Sequence, residues 1–315
     1  MKKLLSAIVA TILALVAFTA CSSVGAANDK LKIVTTVFAE YDWVMNILGD
    51  NPAGAEVTML LDNGADPHSF QPTVADIAKI SSADLFIYVG GESDEWVADV
   101  LKEAVNKNML TINLIDVLGD QVKEEEVVEG MEGEADGALD EHIWLSLKNA
   151  EIIVGKIAES IESLDSNNAD LYKQNAASYI DKLKALDSKY AEAVENANTK
   201  TLLFADRFPF RYLVDDYGLD YYAAFGGCSA ETEASFETVT FLAKKIDELS
   251  IKTVLTIDGS DSKIAETIVS NTASKDQQIL TLDSIQSVKR SDINSGMTYL
   301  SIMESNLAIL KEALK

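Results

Sequence analysis

The feature that most constrains this chain is a change of hydrophobic period that happens twice. Short β-branched runs alternate with helical stretches in two separate series. The first runs through LKIVTTV, a helical YDWVMNILG, AEVTMLL, the helix TVADIAKISSA, the strand DLFIYVGG, the helix WVADVLKEAVN and the strand MLTINLI. A second begins at KTLLFAD and continues through YGLDYYAAF, the helix SFETVTFLAKKIDEL, the strand KTVLTID, the helix SKIAETIVSNT and the strand QQILTLD. Strands separated by helices pair in parallel and are covered by those helices. Between the two series, Tyr172, Ala176, Tyr179, Leu183, Leu186, Tyr190 and Val194 recur at spacings of three and four with no Gly or Pro among them, which predicts one long amphipathic helix. The expected fold is α/β: two lobes, each with a parallel sheet flanked by helices, joined by one long backbone helix. The first lobe is expected over 31–165, the linking helix over 166–199 and the second lobe over 200–315. A single stiff connector should limit hinge motion and leave local loop ordering as the switch.

The N-terminus supplies an address. Lys2 and Lys3 precede an apolar and small-residue run that ends in FTACSS, the layout of a signal peptide over 1–20. Thr19 and Ala20 before Cys21 resemble a bacterial lipobox, with Phe18 where Leu is usual. That resemblance implies a diacylated Cys21, a flexible tether over 21–30 and an extracytoplasmic protein anchored to the cell membrane by lipid. Lipidation of Cys21 would leave Cys228 without a disulfide partner, so Cys228 is either buried or functional. A formal net charge of −25 argues against nucleic acid as a partner.

The chain has only two histidines. His68 follows the strand in AEVTMLL, and His142 follows the strand in MLTINLI by way of the insert GDQVKEEEVVEGMEGEADGALDE over 119–141. Both therefore fall beyond carboxyl ends of parallel strands, where α/β sheets receive ligands, and neutral imidazoles suit zinc or manganese. The insert has no apolar period and is dense in Glu, Asp and Gly. It is expected to be a mobile loop, either a solvated charge run or a low-affinity cation collector.

DPHSFQPTVADIAKISSADLFIYVGG and DEHIWLSLKNA resemble the first two ligand motifs of the metal-binding lipoproteins of bacterial zinc and manganese ABC importers, the ZnuA, AdcA and TroA-like family. LTLDSIQSV, followed by MTYLSIMESNLAILKEAL, is similar to the segment carrying that family's C-terminal aspartate ligand, here Asp283. The resemblance covers the whole mature chain. It implies a monomeric solute-binding protein that captures Zn2+, or alternatively Mn2+, for an ABC permease and its ATPase, with no catalysis. One position departs. The family's third ligand, a His or Glu, aligns with Arg207 in RFPFRYLVDDYGL, and a guanidinium cannot ligate a cation. Cys228 in AFGGCSAETEAS is the expected substitute, favoured by its flanking glycines, and Asp206 is the alternative; Arg207 would then pair with Asp206 or another carboxylate. A surface adhesin fits the same address. A secreted zinc hydrolase would need an open metal position and a general base, and no His-Glu-x-x-His motif occurs.

Overall fold

A computed structural model of the chain describes residues 30–133, 137–227 and 233–315. The expected leader with Cys21, and Cys228, lie outside these residues. From residue 31 onward the chain forms one compact unit. In its first half, four parallel strands, β1 (Lys32–Thr35), β2 (Glu56–Met59), β3 (Leu85–Tyr88) and β4 (Leu110–Asn113), lie in the order β2-β1-β3-β4. In its second half, β5 (Thr201–Phe208), β6 (Asp220–Gly226), β7 (Thr253–Ile257) and β8 (Gln278–Leu282) repeat that topology as β6-β5-β7-β8. The helices between strands are α1 (Phe38–Leu48), α2 (Val74–Ser81) and α3 (Val97–Lys102) in the first lobe, with α7 (Arg211–Tyr217), α8 (Phe236–Leu249) and α9 (Lys263–Ser270) in the second. Two short helices, α4 (Leu114–Leu118) and α10 (Arg290–Asn294), follow the last strand of each sheet.

The linking segment expected over 166–199 holds one long helix, α6 (Ala169–Glu195); the preceding helix α5 (Leu147–Leu164) turns through Ser166–Asn168 into it, and the two pack along each other. The buried residues of α6 are Tyr172, Ala176, Tyr179, Leu183, Leu186, Tyr190 and Val194, the stripe expected from its period. The final helix, α11 (Tyr299–Ala313), packs against both α6 and α1. Tyr299 sets its ring edge-on to Trp43, with centroids 5.2 Å apart, and its hydroxyl donates to the Trp144 carbonyl at 2.7 Å. One apolar cluster therefore runs unbroken from Ile33 and Trp43 in the first sheet layer to Leu255 and Leu282 in the second. The lobes share a core, and the outer faces of their sheets carry two smaller clusters.

The acidic insert does not behave as a mobile loop in its described part. It leaves the first lobe after α4 and makes ion pairs with the second, while Glu141 at its end faces His68 of the first. Lys123 N–H donates to the Tyr212 hydroxyl at 3.1 Å, Glu126 pairs with Arg211 at 3.3 Å and Glu129 with Lys245 at 3.6 Å. Met131 is buried, and Val122, Val127 and Val128 pack on the shared core. Glu132 makes a parallel bridge to Phe225 on β6, the edge strand of its sheet. Four apolar side chains without any period thus anchor a segment whose composition reads as solvated, while an edge strand gains a partner.

Two carboxyls of α1, Glu40 and Asp42, are buried in the core, and burial raises both. Asp42 on α1 is 7% exposed and accepts a bond from the Tyr179 hydroxyl at 3.1 Å. Burial pushes its carboxyl up to about 6, although the Tyr179 bond opposes the shift. The folded state therefore holds this proton more tightly than the unfolded chain does. The associated stability is full below about pH 4 and is lost as pH rises through 6, amounting to no more than about 3 kcal/mol. Asp42→Asn keeps an acceptor for Tyr179 and removes the charge. Urea unfolding should show the variant more stable than the parent by about 1–3 kcal/mol at pH 7.5, with the gain vanishing toward pH 4.

Candidate metal centre

His68 sits in a tight turn, Pro67–Ser69, that follows β2. Pro67 sets the backbone angle for the turn's first residue, and the Asp66 carboxylate caps it by accepting from His68 N–H at 3.0 Å. His142 immediately precedes the turn Ile143–Leu145 and is wholly buried. The two imidazoles face each other with Nε2 atoms 3.1 Å apart. Two nitrogens bound to one tetrahedral zinc at its usual bond length would stand about 3.3 Å apart. Their other nitrogens are held from behind. Asp140 Oδ1 lies 3.1 Å from His142 Nδ1 and also accepts from His142 N–H at 2.9 Å. His68 Nδ1 is 2.9 Å from Ser93 Oγ and 3.6 Å from Glu141 Oε2, and Glu141 is itself fixed by Ser93 N–H at 2.9 Å. Backing of this kind sets ring orientation and tautomer at metal-binding histidines.

Electrostatics keep His68 in the form that can ligate. Burial and then the adjacent His142 drive its pKa down to about 3 against an opposing pull from Asp66, and the Arg207 charge adds a lesser lowering. Arg207, at the position the resemblance assigns to a third ligand, points across the cleft. Its Nη1 pairs with Asp66 Oδ2 at 2.8 Å, two residues from His68 and on the opposite lobe. Of the two partners expected for Arg207, the other carboxylate is therefore the one found.

The second lobe approaches His142 through backbone. A Cβ at Gly227 would stand 2.9 Å from His142 Cε1 and 2.9 Å from the Phe208 carbonyl, so no side chain fits there without displacing one of them. Asp206 turns away: its carboxylate accepts from Arg207 N–H at 2.9 Å and from Ile257 N–H at 3.5 Å. It lines a cleft of about 600 Å³ between the lobes together with Asp66, Arg207, Asp258 and Ser284. Asp283 accepts from Ile285 N–H at 2.8 Å, and Asn306 brackets its backbone. Burial and the neighbouring Asp258 push its carboxyl up to about 6. The Trp144 indole N–H donates to the carbonyl of Ser284 at 2.9 Å, and its ring stands edge-on to His142 with centroids 5.5 Å apart. The turn after Asp283 is thereby tied to the histidine pair. Among the described residues, however, no three His, Cys, Asp or Glu side chains converge closely enough to hold one ion, so the structure brings His68 and His142 together but neither Asp206 nor Asp283 with them. Sequence reasoning does not single out Ser93, Asp140 or Glu141, whereas Gly227 is one of the glycines flanking Cys228 at which close backbone approach is expected. The two acidic residues were visible before His142, and only the fold shows that they back two different imidazoles.

A two-lobed α/β molecule with two imidazoles facing each other beside its cleft has the architecture of a solute-binding protein. The family model described as zinc-uptake complex component A, periplasmic (ZnuA), matches residues 33–313, and the chain belongs to that family. It is 32% identical over 299 residues to the zinc-binding lipoprotein AdcA of Streptococcus pneumoniae serotype 4, covering 93% of this chain and 58% of AdcA. The chain thus spans little more than half of the AdcA length. It is 30% identical over 290 residues to the high-affinity zinc uptake system protein ZnuA of Bacillus subtilis, covering 91% of this chain and 88% of that protein. The Zn(II)-bound ZnuA-like domain of Streptococcus pneumoniae AdcA superposes with a TM-score of 0.72 at 29% identity, over 90% of this chain and 99% of that domain.

The His68 environment has a direct readout. In chelator-treated protein, long-range proton–nitrogen NMR should show His68 titrating near pH 3, and His142→Gln should raise that midpoint by roughly one unit through loss of the neighbouring imidazole. A midpoint near the ordinary histidine value would contradict this geometry.

Proposed function

We propose that this chain is an extracytoplasmic solute-binding protein that captures a divalent transition metal, zinc ahead of manganese, and delivers it to an ABC permease driven by its ATPase. The observation that carries this reading is the pair of facing Nε2 atoms 3.1 Å apart, each imidazole backed by a carboxylate. The zinc-binding relatives support it. His68 and His142 are the ligands from the first lobe. From the second lobe we assign Asp283 and Cys228, the residue that follows Gly227 in sequence, because Gly227 abuts the His142 ring and the Asp206 carboxylate is occupied by backbone N–H groups. Asp206 is the alternative. A thiolate in the set favours zinc, whereas Asp206 in its place would admit manganese. The work of the residues is capture rather than catalysis. Burial keeps His68 neutral, Asp140 and Glu141 fix the ring planes, and zinc bound between the lobes is shielded until the permease opens the cleft. Diacylated Cys21 anchors the protein to the membrane through the tether over 21–30.

Zinc titration of metal-stripped protein tests the assignment. His68→Ala and His142→Ala should each abolish tight binding and the accompanying rise in melting temperature; undiminished affinity in either variant removes the site. Cys228→Ala should weaken zinc by at least roughly a hundredfold and erase the thiolate-to-cobalt absorption band of the cobalt-loaded protein, with Asp206→Ala milder. The reverse ranking transfers the ligand to Asp206.

The anchor has its own test. Cys21→Ser should release the protein from the membrane fraction into the medium, and a variant that stays membrane-bound contradicts lipidation at that residue.

A further inference from the structure

We infer that Glu132 is a positioning residue for the metal centre: from the first lobe's acidic insert, it staples together the two ends of the connection between β6 and α8 and so holds Gly226 and Gly227 in place beside His142. This rests on the metal-capture reading above. The backbone of Glu132 takes one end of the connection, its N–H donating to the Ala224 carbonyl at 2.9 Å and its residue bridging Phe225 in parallel register. Its carboxylate takes the other end. Oε1 accepts from Ser235 N–H at 2.6 Å, where Ser235 is the N-cap of α8 and its own hydroxyl accepts from Thr238 N–H. Partial burial works against the charge of Glu132, yet the bonds from Ser235 and Thr238 hold its carboxyl below the usual range. A carboxylate at the first turn of an eight-residue or longer helix is also favoured by the helix dipole, and α8 has 14 residues.

The residues just before Glu132 fix where it lands. Met131 is 8% exposed. Gly130 adopts a φ of +82°, and a Cβ there would lie 2.0 Å from the Phe241 ring on α8, so the insert passes in close contact with that helix. The contact that depends on this docking is tight: Gly227 reaches His142 with no room for even a methyl group. A shift of the β6 end by a few tenths of an ångström opens or closes that contact. A cation-collecting role would instead use carboxylates facing solvent without fixed partners. Glu126, Glu129 and Glu132 all have partners on the second lobe.

The test uses the full chain with zinc alone as the probe, following dissociation into excess chelator by stopped flow, together with the absorption spectrum of the cobalt-loaded protein. Glu132→Ala should release zinc about tenfold faster, as expected for loss of a charge-assisted bond, and should shift the cobalt spectrum. Glu132→Gln, which keeps an acceptor for Ser235 and the backbone bridge, should restore most of the slow release. Gly130→Val, which displaces the same segment by collision with Phe241, should accelerate release in the same direction. Glu129→Gln, which removes a charge of the insert without touching the staple, should leave the dissociation rate unchanged. Wild-type release and spectrum in Glu132→Ala overturn the staple, as does equal acceleration by Glu129→Gln, which would assign the effect to charge. Retention of tight zinc binding in His68→Ala would instead overturn the metal-capture reading, so the two failures are told apart.

Discussion

Trp144 is the residue on which the geometry of the molecule turns. It is almost wholly buried, its indole N–H is bonded to Ser284 beyond β8, and its carbonyl accepts from Tyr299 on α11. A residue of the first lobe is thus held at two points by the second. His142 lies two positions earlier and packs against the same ring, so it inherits a fixed position from an apolar core rather than from polar contacts alone. An indole N–H left without its carbonyl in this environment would carry a desolvation penalty, which makes the pairing of the lobes at this point hard to give up. The shared cluster from Ile33 to Leu282 extends the same constraint across the molecule.

Much of this was legible in the sequence because two periods are sufficient to write it. The buried stripe of α6 follows from spacing alone, and six of the eight strands fall within the runs read from sequence, while β5 continues through Arg207 and Phe208 and β6 through Gly226. What periodicity does not reveal is pairing between distant segments. That α5 lies along α6, or that α11 returns to pack on α1, depends on which apolar faces meet, and a stripe says only that a face exists. The insert over 119–141 shows the same gap more sharply. Its charges dominate its composition, but Val122, Val127, Val128 and Met131 decide its location, and its partners Arg211, Phe225 and Lys245 lie on the other lobe. The histidine pair was legible as two residues in equivalent topological settings. Their approach to 3.1 Å was not, since it requires the turn after β2 and the turn before α5 to meet.

Arg207 shows how a position can change its chemistry without losing its place. The family resemblance puts a donor there, and this chain has a permanent cation. The guanidinium pairs with Asp66, the carboxylate that caps the His68 turn, so a residue that cannot bind metal still acts on the ligand turn from the opposite lobe. The pair is partly exposed, with side chains 23% and 33% accessible, and an ion pair so placed contributes little to global stability. Its consequence is geometric: it spans the cleft, and it places a positive charge near the histidines, which lowers the tendency of His68 to protonate.

Several ties cross between the lobes, among them the core around Trp144, the Arg207–Asp66 pair, the Arg290–Asp62 pair and the docked insert. A wide rotation of one lobe against the other would have to break the first, which is buried, and strip the insert from β6. Hinge closure on that scale requires a few residues that absorb large backbone changes, whereas the connector here is a pair of packed helices and the C-terminal helix lies across it. At the cleft the two halves also carry polar contacts outside that core: those of the Asp66–His68 turn, the Glu132–Ser235 bond and the Asp258 bonds to Ser284 and Ser287. Each borders the histidine pair or the cleft beside it. Displacing the Asp66–His68 turn would leave the shared apolar core in place, whereas separating the halves would break it.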